Sequence, residues 1–316
     1  MSAKPQFTCD SLHTAPLETR DVLSPPRWAL DIVAGAAPHP RQALNGAPCV
    51  DLLDAGEFAL ASSRITDAVS LAADILQRRV TETYSAIAAR LQKLSAMHPV
   101  RLWNHIPSIH GQMDVHRDRY MVFNAGRYQA FTQWYGHADL FDQEVATASG
   151  VGHCGADLVV HCLSAVAPGV AIDNPRQIAP HRYSTRYGPV PPCFARATLL
   201  QSQRLILVGG TASIKGEDSL HRTDVAQQLS ETLTNLASVV QTAHRKFKPD
   251  ARHSQEHWLD CYREVRVYYP RPADADALEA TVRDAFRPAF RIEMRRADLC
   301  RSELLVEIEG VAELAA

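Results

Sequence analysis

The sequence has no long uninterrupted apolar run, and none of its segments reaches the roughly 20 apolar residues of a membrane-spanning helix. The first residues, Met1 to Pro16, also lack the apolar core of a signal peptide. Neither charge sign dominates, because 33 basic residues stand against 35 acidic ones, which gives no electrostatic basis for binding nucleic acid. The sequence therefore predicts a cytoplasmic protein that binds a small polar molecule, with neither nucleic acid nor a membrane as a partner.

Short motifs of several common kinds of site are also missing. The seven cysteines are dispersed and include no CxxC pair, which favours reduced thiols over a disulfide framework or a zinc knuckle. No HExxH or GxSxG motif is present, and Gly209-Gly210 lacks the spacing of a nucleotide-binding loop. We interpret Gly152-His153-Cys154-Gly155 as a turn. Three histidines that lie close together in the sequence, His105, His110 and His116, are interpreted as surface or packing residues. We therefore expect no metal and no cofactor.

Hydrophobic periodicity predicts a unit of two strands, helix, strand, helix and strand in the first half of the chain. Asp54-Ala55-Gly56 is a good tight-turn sequence between the first two strands. Thr66 or Asp67 can cap the long helix that follows, and Pro99 is expected to end it. The predicted strands and the second helix then lie at 49–53, 57–62, 100–106, 117–141 (helix) and 157–166.

The same order of elements returns in the second half. Strands are predicted at 194–200, 204–208, 264–269 and 290–296, helices at 219–246 and 273–286, and a last strand carries Glu307. Two such units predict an α+β fold of two halves, each a mixed β-sheet covered on one face by two helices. The uncovered faces must pack together or against another subunit, and the cleft between them is a common place for a small-molecule site.

This plan divides the chain into four parts: an N-terminal extension at 1–45, an N-terminal half at 46–170, a linker at 171–192 and a C-terminal half at 193–316. The stretch from Pro168 to Pro192 holds six prolines, which exclude a helix. We interpret it as a stiff surface linker. Its three arginines and two tyrosines are also suited to holding a carboxylate ligand.

Near the C-terminus, Cys300 lies seven residues before Glu307, which is embedded in an apolar strand. Alternate side chains of a strand share a face, so Glu303, Glu307 and Glu309 are predicted to point the same way. The opposite face then carries Leu304, Val306 and Ile308. A carboxyl group in a partly dry cleft has a raised pKa and donates a proton near neutral pH. The pattern alone does not distinguish the three glutamates from one another or from exposed strand carboxylates.

Several segments between about Asp51 and Gly310 resemble, in order, the landmarks of the chorismatase family. They are Asn104-His105-Ile106-Pro107, Asn124-Ala125-Gly126-Arg127-Tyr128, Asn174-Pro175-Arg176-Gln177, Arg186-Tyr187-Gly188-Pro189, Phe194-Ala195-Arg196-Ala197, Gly210-Thr211-Ala212-Ser213-Ile214 and the block from Cys300 to Glu307. The family has a fold similar to RidA (YjgF-like) proteins, which agrees with the duplicated plan. Within the family, the chain most resembles the bifunctional, hydroxybenzoate-forming branch of xanthomonadin pigment synthesis.

The resemblance implies an enzyme that removes the enolpyruvyl group of chorismate as pyruvate and forms 3- and 4-hydroxybenzoate. The latter product would also connect the chain to ubiquinone biosynthesis. Glu307 matches the family's catalytic glutamate, and we expect it to act as the general acid. Cys300 and Ala212 lie where the branches of the family differ, so Cys300 is expected to steer the products. The thiol would act as a nucleophile or limit water, and the alternative is a buried structural cysteine.

Chorismate carries two carboxylates, so its site should hold at least one bidentate arginine and further donors. The expected substrate-binding residues are Arg186, Tyr187, Arg196, Tyr183, Arg127, Tyr128 and Thr211, with Ala212 beside them. Each arginine is alternatively a solvated surface residue, and Gly209-Gly210 a bend between strand and helix. The rival functions are a RidA-type enamine or imine deaminase and a non-catalytic metabolite-binding protein. A homo-oligomer is possible, because RidA relatives form trimers.

Overall fold

The structure is a computed structural model that describes residues 23–39, 48–136, 140–248 and 257–314. The first part of the chain forms α1 (Arg27–Ile32), β1 (Ala37–Pro38), β2 (Val50–Asp54), β3 (Phe58–Ile65), α2 (Ala73–Leu91), β4 (His98–Pro107), α3 (Arg119–Tyr135), α4 (Phe141–Glu144), β5 (Thr147–His153) and β6 (Leu158–Ala165). The second part forms β7 (Val170–Ile172), β8 (Ala197–Leu200), β9 (Leu205–Ala212), β10 (Ile214–Lys215), β11 (Asp218–Ser219), α5 (Val225–Phe247), β12 (Tyr262–Tyr269), α6 (Ala275–Ala285), β13 (Arg291–Arg296) and β14 (Glu307–Glu313).

The first sheet has the order β1-β2-β3-β6-β4-β5, and its neighbours are antiparallel except β4 and β5, which are parallel. Helices α2 and α3 cover one face. The apolar residues of α2 recur every three or four positions, so they form one stripe that is fully buried against the sheet. This stripe includes Leu76, Val80, Tyr84 and Ile87.

The second sheet repeats this plan in the order β13-β12-β14-β9-β8-β7, with β12 and β13 as its parallel pair. The stripes of α5 and α6 bury Leu236, Val240 and Val282 against Val267 and Ile308 of this sheet. The expected α+β fold of two similar halves is therefore confirmed. The division into domains at 46–170, 171–192 and 193–316 stays a prediction.

The two sheets turn their helix-free faces toward each other. Trp103 of β4 packs in one cluster with Leu207 of β9 and Val311 of β14. Polar groups also meet across this interface, since Nη2 of Arg101 on β4 lies 2.6 Å from Oε2 of Glu309 on β14. The expectation that the uncovered faces pack together is met within a single chain.

Two predicted helix limits are wrong. The long helix begins at Ala73 rather than at Thr66 or Asp67, because Asp67 adopts a left-handed conformation with φ of 49° and leads into a short 3-10 turn. Pro99 does not end this helix, which stops at Leu91. It lies at the start of β4, where a register shift relieves the missing N–H.

Three strand predictions also need correction. Strand β5 was missed, and Gly152 and His153 belong to it rather than to a turn. Strand β9 continues through Gly209 and Gly210 to Ala212, so these glycines are not a bend before a helix. The interpretation of 171–192 as a surface linker is wrong in part, because its first residues belong to β7, which pairs with β8.

Part of the unassigned N-terminal extension contributes to the fold, since α1 packs Trp28 against Trp103 and β1 pairs with β2. Residues 1–22 and 40–45 of that region lie outside the described residues. Within the described ranges, no helix combines the length and the apolar character that crossing a bilayer requires.

Candidate active site

Strand β14 carries two glutamates into the space between the sheets. Glu307 and Glu309 alternate with Ile308, which faces the helices, and both carboxylates are buried. Glu303 was expected on the same strand face, but β14 begins only at Glu307, and Glu303 belongs to the preceding turn. The two remaining carboxylates have very different surroundings.

Glu309 is held by four hydrogen-bond donors. Its carboxylate accepts from Nη2 of Arg101 at 2.6 Å, from Nε1 of Trp103 at 3.1 Å and from the hydroxyl of Tyr268 at 3.0 Å. The hydroxyl of Ser149 also donates to it. A buried carboxylate with this many donors, one of them a guanidinium, is well suited to carry a negative charge.

Glu307 lies two residues away and has no hydrogen-bond donor for its carboxyl group among the residues that the structure describes. Burial, together with the nearby charge of Glu309, raises the pKa of Glu307 to about 8, against the opposing effect of Arg101 and Arg196. At neutral pH this side chain therefore holds a proton. A neutral carboxyl group in a pocket has the form that general acid catalysis requires.

A bulge in β9 makes room for this carboxyl group. Val208 pairs with Gly310 and Thr211 with Ile308, so Gly209 and Gly210 together lie opposite the single residue Glu309. A Cβ atom at Gly210 would lie only 2.0 Å from Oε1 of Glu307. The freed N–H of Gly210 donates to the Ser149 hydroxyl at 2.9 Å. Glycine at this position therefore permits the observed place of Glu307.

The Glu307 carboxyl group lines a pocket built from both halves of the chain. Asp118 accepts a hydrogen bond from the Met121 N–H at the start of α3 and so caps the helix that brings Tyr120 and Arg127 to the pocket. The remaining walls come from β5, the bulge of β9, the segment at 183–196 and the loop before β14. Their side chains include Ser149, Tyr183, Tyr187, Phe194, Arg196, Ala212, Cys300 and Arg301.

Two arginines of this pocket are buried without an acidic partner. Arg127 is 1% exposed and Arg196 is 3% exposed, and within the described ranges neither forms an ion pair. Each guanidinium lies over Phe194, at 5.8 Å and 5.3 Å from the ring centroid. The Nε atoms of both are buried without an acceptor. Because an uncompensated buried cation is costly, this pair is suited to bind an anionic ligand.

A third arginine stacks on the tyrosines at the pocket wall. The guanidinium carbon of Arg301 lies 3.7 Å from the ring centroid of Tyr187 and 5.4 Å from that of Tyr183. Its Nη1 donates to the backbone carbonyl of Glu217 at 2.8 Å and to the hydroxyl of Ser219 at 3.0 Å. The tyrosines of the proline-rich segment are thereby fixed beside the pocket rather than exposed on a linker.

The Cys300 thiol also faces the pocket. Burial raises its pKa to about 12, and the nearby Glu307 acts in the same direction. At neutral pH the thiol therefore stays protonated, which makes it a weak nucleophile. Tyr120 lies close enough to couple electrostatically to both Cys300 and Glu307, and burial raises the pKa of its phenol.

Comparisons with known proteins agree with this arrangement. A family profile described as "Chorismatase FkbO/Hyg5-like, N-terminal" matches residues 43–164. The chain is 35% identical over 241 residues to a 3-hydroxybenzoate synthase of Streptomyces hygroscopicus, covering 72% of this chain and 67% of that protein. It is 32% identical over 223 residues to a chorismatase of the same organism, covering 67% of this chain and 60% of that protein.

The chain belongs to the chorismatase family. A crystal structure of a chorismatase aligns with it at a TM-score of 0.73 and 26% identity, covering 87% of this chain and 80% of that structure. The resemblance that the motifs indicated is thus confirmed at the level of the family. The chain is an enzyme of this family, and its individual site residues remain assignments from geometry.

The structure brings together most of the residues that the sequence nominated, but three do not line the chorismatase-family pocket. The Arg186 side chain is 52% exposed and pairs with Asp218 at 2.5 Å. Thr211 alternates with Gly210 and Ala212 along β9, so its hydroxyl points away and donates to the backbone carbonyl of Gly209. Tyr128 packs against Phe141 in the helix-covered core.

Sequence reasoning missed several pocket residues. Ser149 lies on the strand that was not predicted, and His110 was set aside as a surface or packing residue although it lines the pocket. Arg301 directly follows Cys300, and a basic residue next to the nominated cysteine was the available signal. Tyr120 precedes the Asn124-to-Tyr128 motif by one helical turn, which places it on the same face as Arg127 after two turns.

Proposed function

We propose that the chain is a chorismatase that converts chorismate into pyruvate and hydroxybenzoate, with Glu307 as the general acid. The observation that carries this proposal is a buried carboxyl group with a pKa of about 8, beside two buried arginines; among the residues that the structure describes, neither the carboxyl group nor the arginines form an ion pair. The first group supplies a proton near neutral pH, and the second pair suits a substrate with two carboxylates.

In the proposed reaction, Glu307 donates its proton to the terminal methylene carbon of the enol ether. The resulting oxocarbenium ion makes the ether carbon electrophilic. If the bond between the ether oxygen and the ring carbon of this oxocarbenium ion breaks, pyruvate leaves in its keto form, and loss of a proton from the neighbouring hydroxyl-bearing ring carbon gives 4-hydroxybenzoate. If water instead adds to the electrophilic carbon, pyruvate leaves while the ring keeps the ether oxygen, and loss of the neighbouring hydroxyl with a ring-carbon proton as water gives 3-hydroxybenzoate. In both cases pyruvate and the hydroxybenzoate together contain the atoms of chorismate, and no oxidant or reductant enters the balance. We assign recovery of the released proton to the Glu307 carboxylate.

We assign the two carboxylates of chorismate to Arg127 and Arg196. Replacing either by methionine keeps most of the side-chain volume and removes one charge-assisted contact. We expect KM for chorismate to rise by about tenfold to a hundredfold, with a smaller change in kcat. Steady-state kinetics measure this effect. Arg287→Gln, at an arginine whose side chain is 77% exposed, is the matched control, and an equal KM for all three variants would contradict the assignment.

The proposed activity is tested with purified protein and chorismate. Pyruvate is measured with a coupled dehydrogenase, and the aromatic products are separated by chromatography. We expect one pyruvate per chorismate consumed and a hydroxybenzoate as the aromatic product. If no pyruvate forms, the proposal fails, and release of ammonia from enamine substrates would support the rival deaminase.

We further propose that both 3- and 4-hydroxybenzoate form and that Cys300 sets their ratio. The thiol and Ala212 line the pocket together with Glu307, and the raised pKa of the thiol favours a neutral group beside the ring. We expect Cys300→Ala to change the ratio of the two isomers severalfold while total chorismate consumption changes less. Chromatography of the products measures both quantities, and an unchanged ratio would exclude steering by Cys300.

We also propose which biosynthetic routes the products supply. The hydroxybenzoates would let the enzyme supply xanthomonadin synthesis in the cytoplasm, and 4-hydroxybenzoate would connect it to ubiquinone synthesis. Detection of 4-hydroxybenzoate in the assay supports the connection to ubiquinone, whereas 3-hydroxybenzoate alone would exclude that connection. The expected homo-oligomer is tested by analytical ultracentrifugation.

A further inference from the structure

Glu307 and Glu309 of β14 lie on one strand face, two residues apart, yet their partners differ completely. Glu309 accepts four hydrogen bonds, three of them from the other half of the chain. Glu307 accepts none from the described residues and faces the pocket. Two carboxylates so close together do not both ionise easily, so their surroundings decide which one keeps the proton.

The four hydrogen bonds to Glu309 match the acceptor capacity of a carboxylate. The Arg101 guanidinium and the Trp103 indole N–H have no acceptor atom to offer a protonated carboxyl group. The Ser149 hydroxyl already accepts from Arg101 at 2.6 Å and from the Gly210 N–H at 2.9 Å, so its own hydrogen is left to donate to Glu309. A proton on the Glu309 carboxyl would find an acceptor only in the Tyr268 hydroxyl, which would then have to stop donating to Glu309.

We propose that Glu309 is a positioning residue that keeps the proton on Glu307, with Arg101, Ser149, Trp103 and Tyr268 binding Glu309 as a carboxylate. The N-terminal half thus contributes to the reaction through Arg101, Trp103 and Ser149, which fix the charge of the neighbouring glutamate. This inference rests on the proposed role of Glu307 as the general acid. It adds the reason why that acid, rather than its neighbour, is protonated.

Several charged and titratable groups face Glu307 and affect its pKa. Glu309 raises the pKa of Glu307, whereas Arg101 on β4 and Arg196 before β8 lower it. Cys300 and Tyr120 also lie near Glu307, and burial keeps both of them neutral. The other titratable groups of the pocket are unchanged in every variant below, namely His110, Asp118, Arg127, Tyr183, Tyr187, Arg301 and Glu303.

The test compares two variants that break the same ion pair. Glu309→Gln removes a negative charge near Glu307 and leaves Arg101 unpaired, so the alkaline limb of kcat/KM should move to lower pH by about one unit or more. Arg101→Gln removes a positive charge, so the limb should move to higher pH. Loss of structure alone would lower the rate at every pH in both variants. Glu309→Asp retains the charge and should restore the wild-type limb.

The low-pH plateau of Glu309→Gln gives a second measurement. Because Glu307 is protonated there in either protein, kcat/KM per folded molecule should approach the wild-type value below the shifted limb. If breaking the pair prevents folding, Arg101→Met/Glu309→Gln removes both charges of the pair and leaves neither partner unpaired. Its limb should still move to lower pH, by a smaller amount, since Glu309 affects Glu307 more strongly than Arg101 does.

The inference would be overturned if the alkaline limb of kcat/KM stays at the wild-type pH in Glu309→Gln and Arg101→Gln, or if it moves in the same direction in both. An unmoved limb in the double variant would overturn it too. Failure of the proposed activity gives a different result, because even the wild-type protein would then form no pyruvate. If the activity is present but Glu307 is not the acid, Glu307→Gln retains turnover. Loss of turnover in Glu307→Gln combined with unmoved limbs elsewhere would leave the general acid in place and remove only the role of Glu309.

Discussion

Replacement of Glu307 by glutamine is expected to lower kcat for chorismate by about a hundredfold to ten-thousandfold, with KM close to the wild-type value. The amide keeps the shape of the carboxyl group but has no acidic proton to give to the methylene carbon. Binding should persist, because Arg127 and Arg196 remain in the pocket. Single-turnover kinetics with pyruvate detection separate the loss of chemistry from any loss of binding.

The same substitution is expected to change how the melting temperature depends on pH. The pKa of Glu307 is raised from about 4.5 to about 8 on folding, so between these values the folded state holds a proton that the unfolded state releases. The favourable contribution of the neutral carboxyl is fully present below pH 4.5 and is lost as pH rises through 8. Glutamine cannot ionise. The melting temperature of Glu307→Gln relative to wild type should therefore increase from pH 5 to pH 9.

Glu313→Gln is the matched control for both measurements, because Glu313 is on the same strand and pairs with Arg263 at the surface. It should change neither turnover nor the pH dependence of the melting temperature difference. Wild-type turnover in Glu307→Gln would transfer the acid role to another residue. A constant melting temperature difference between pH 5 and pH 9 would show that Glu307 is already ionised at neutral pH.

The repeated order of elements could be predicted from the sequence because the long helix of each half, α2 and α5, carries a clear apolar stripe. Strand β5 was harder, since its sequence, Thr147 to His153, is rich in small residues and lacks apolar alternation. It forms because β4 pairs with it along seven positions and because residues 195 and 298 bridge its outer edge. These are long-range pairings, which local propensity does not record.

For the site too, local sequence patterns predicted some residues, whereas contacts between residues distant in the sequence could not be predicted. The motif resemblance selected Glu307, and alternation along β14 placed Glu309 on the same face. The pattern did not reveal that Arg101 and Ser149 bind Glu309, because these residues lie 208 and 160 positions away. Arg186 and Arg196 looked equivalent by composition. Only the fold shows that Asp218 neutralises the first, while the second is buried and pairs with no acid in the described part of the chain.

Replacement of Gly210 by alanine is expected to disturb the position of Glu307 more than any other single methyl addition in the pocket. The added Cβ would lie 2.0 Å from Oε1 and 2.7 Å from Cδ of Glu307, so the carboxyl group must move. A displacement of about 1 Å at a catalytic group costs roughly a hundredfold in rate. The backbone N–H that donates to Ser149 is retained in alanine, so the bulge keeps its hydrogen bond.

The clash should also appear in stability, where a double-mutant cycle isolates it. Gly210→Ala should lower the free energy of unfolding by about 1–3 kcal/mol in the wild-type background, which is typical of overpacking. In the Glu307→Ala background the colliding atoms are absent, so the same substitution should cost much less. Denaturant unfolding of the four proteins measures the coupling. Equal costs in both backgrounds would mean that Gly210 does not make room for Glu307, and that its role is limited to the conformation of the bulge.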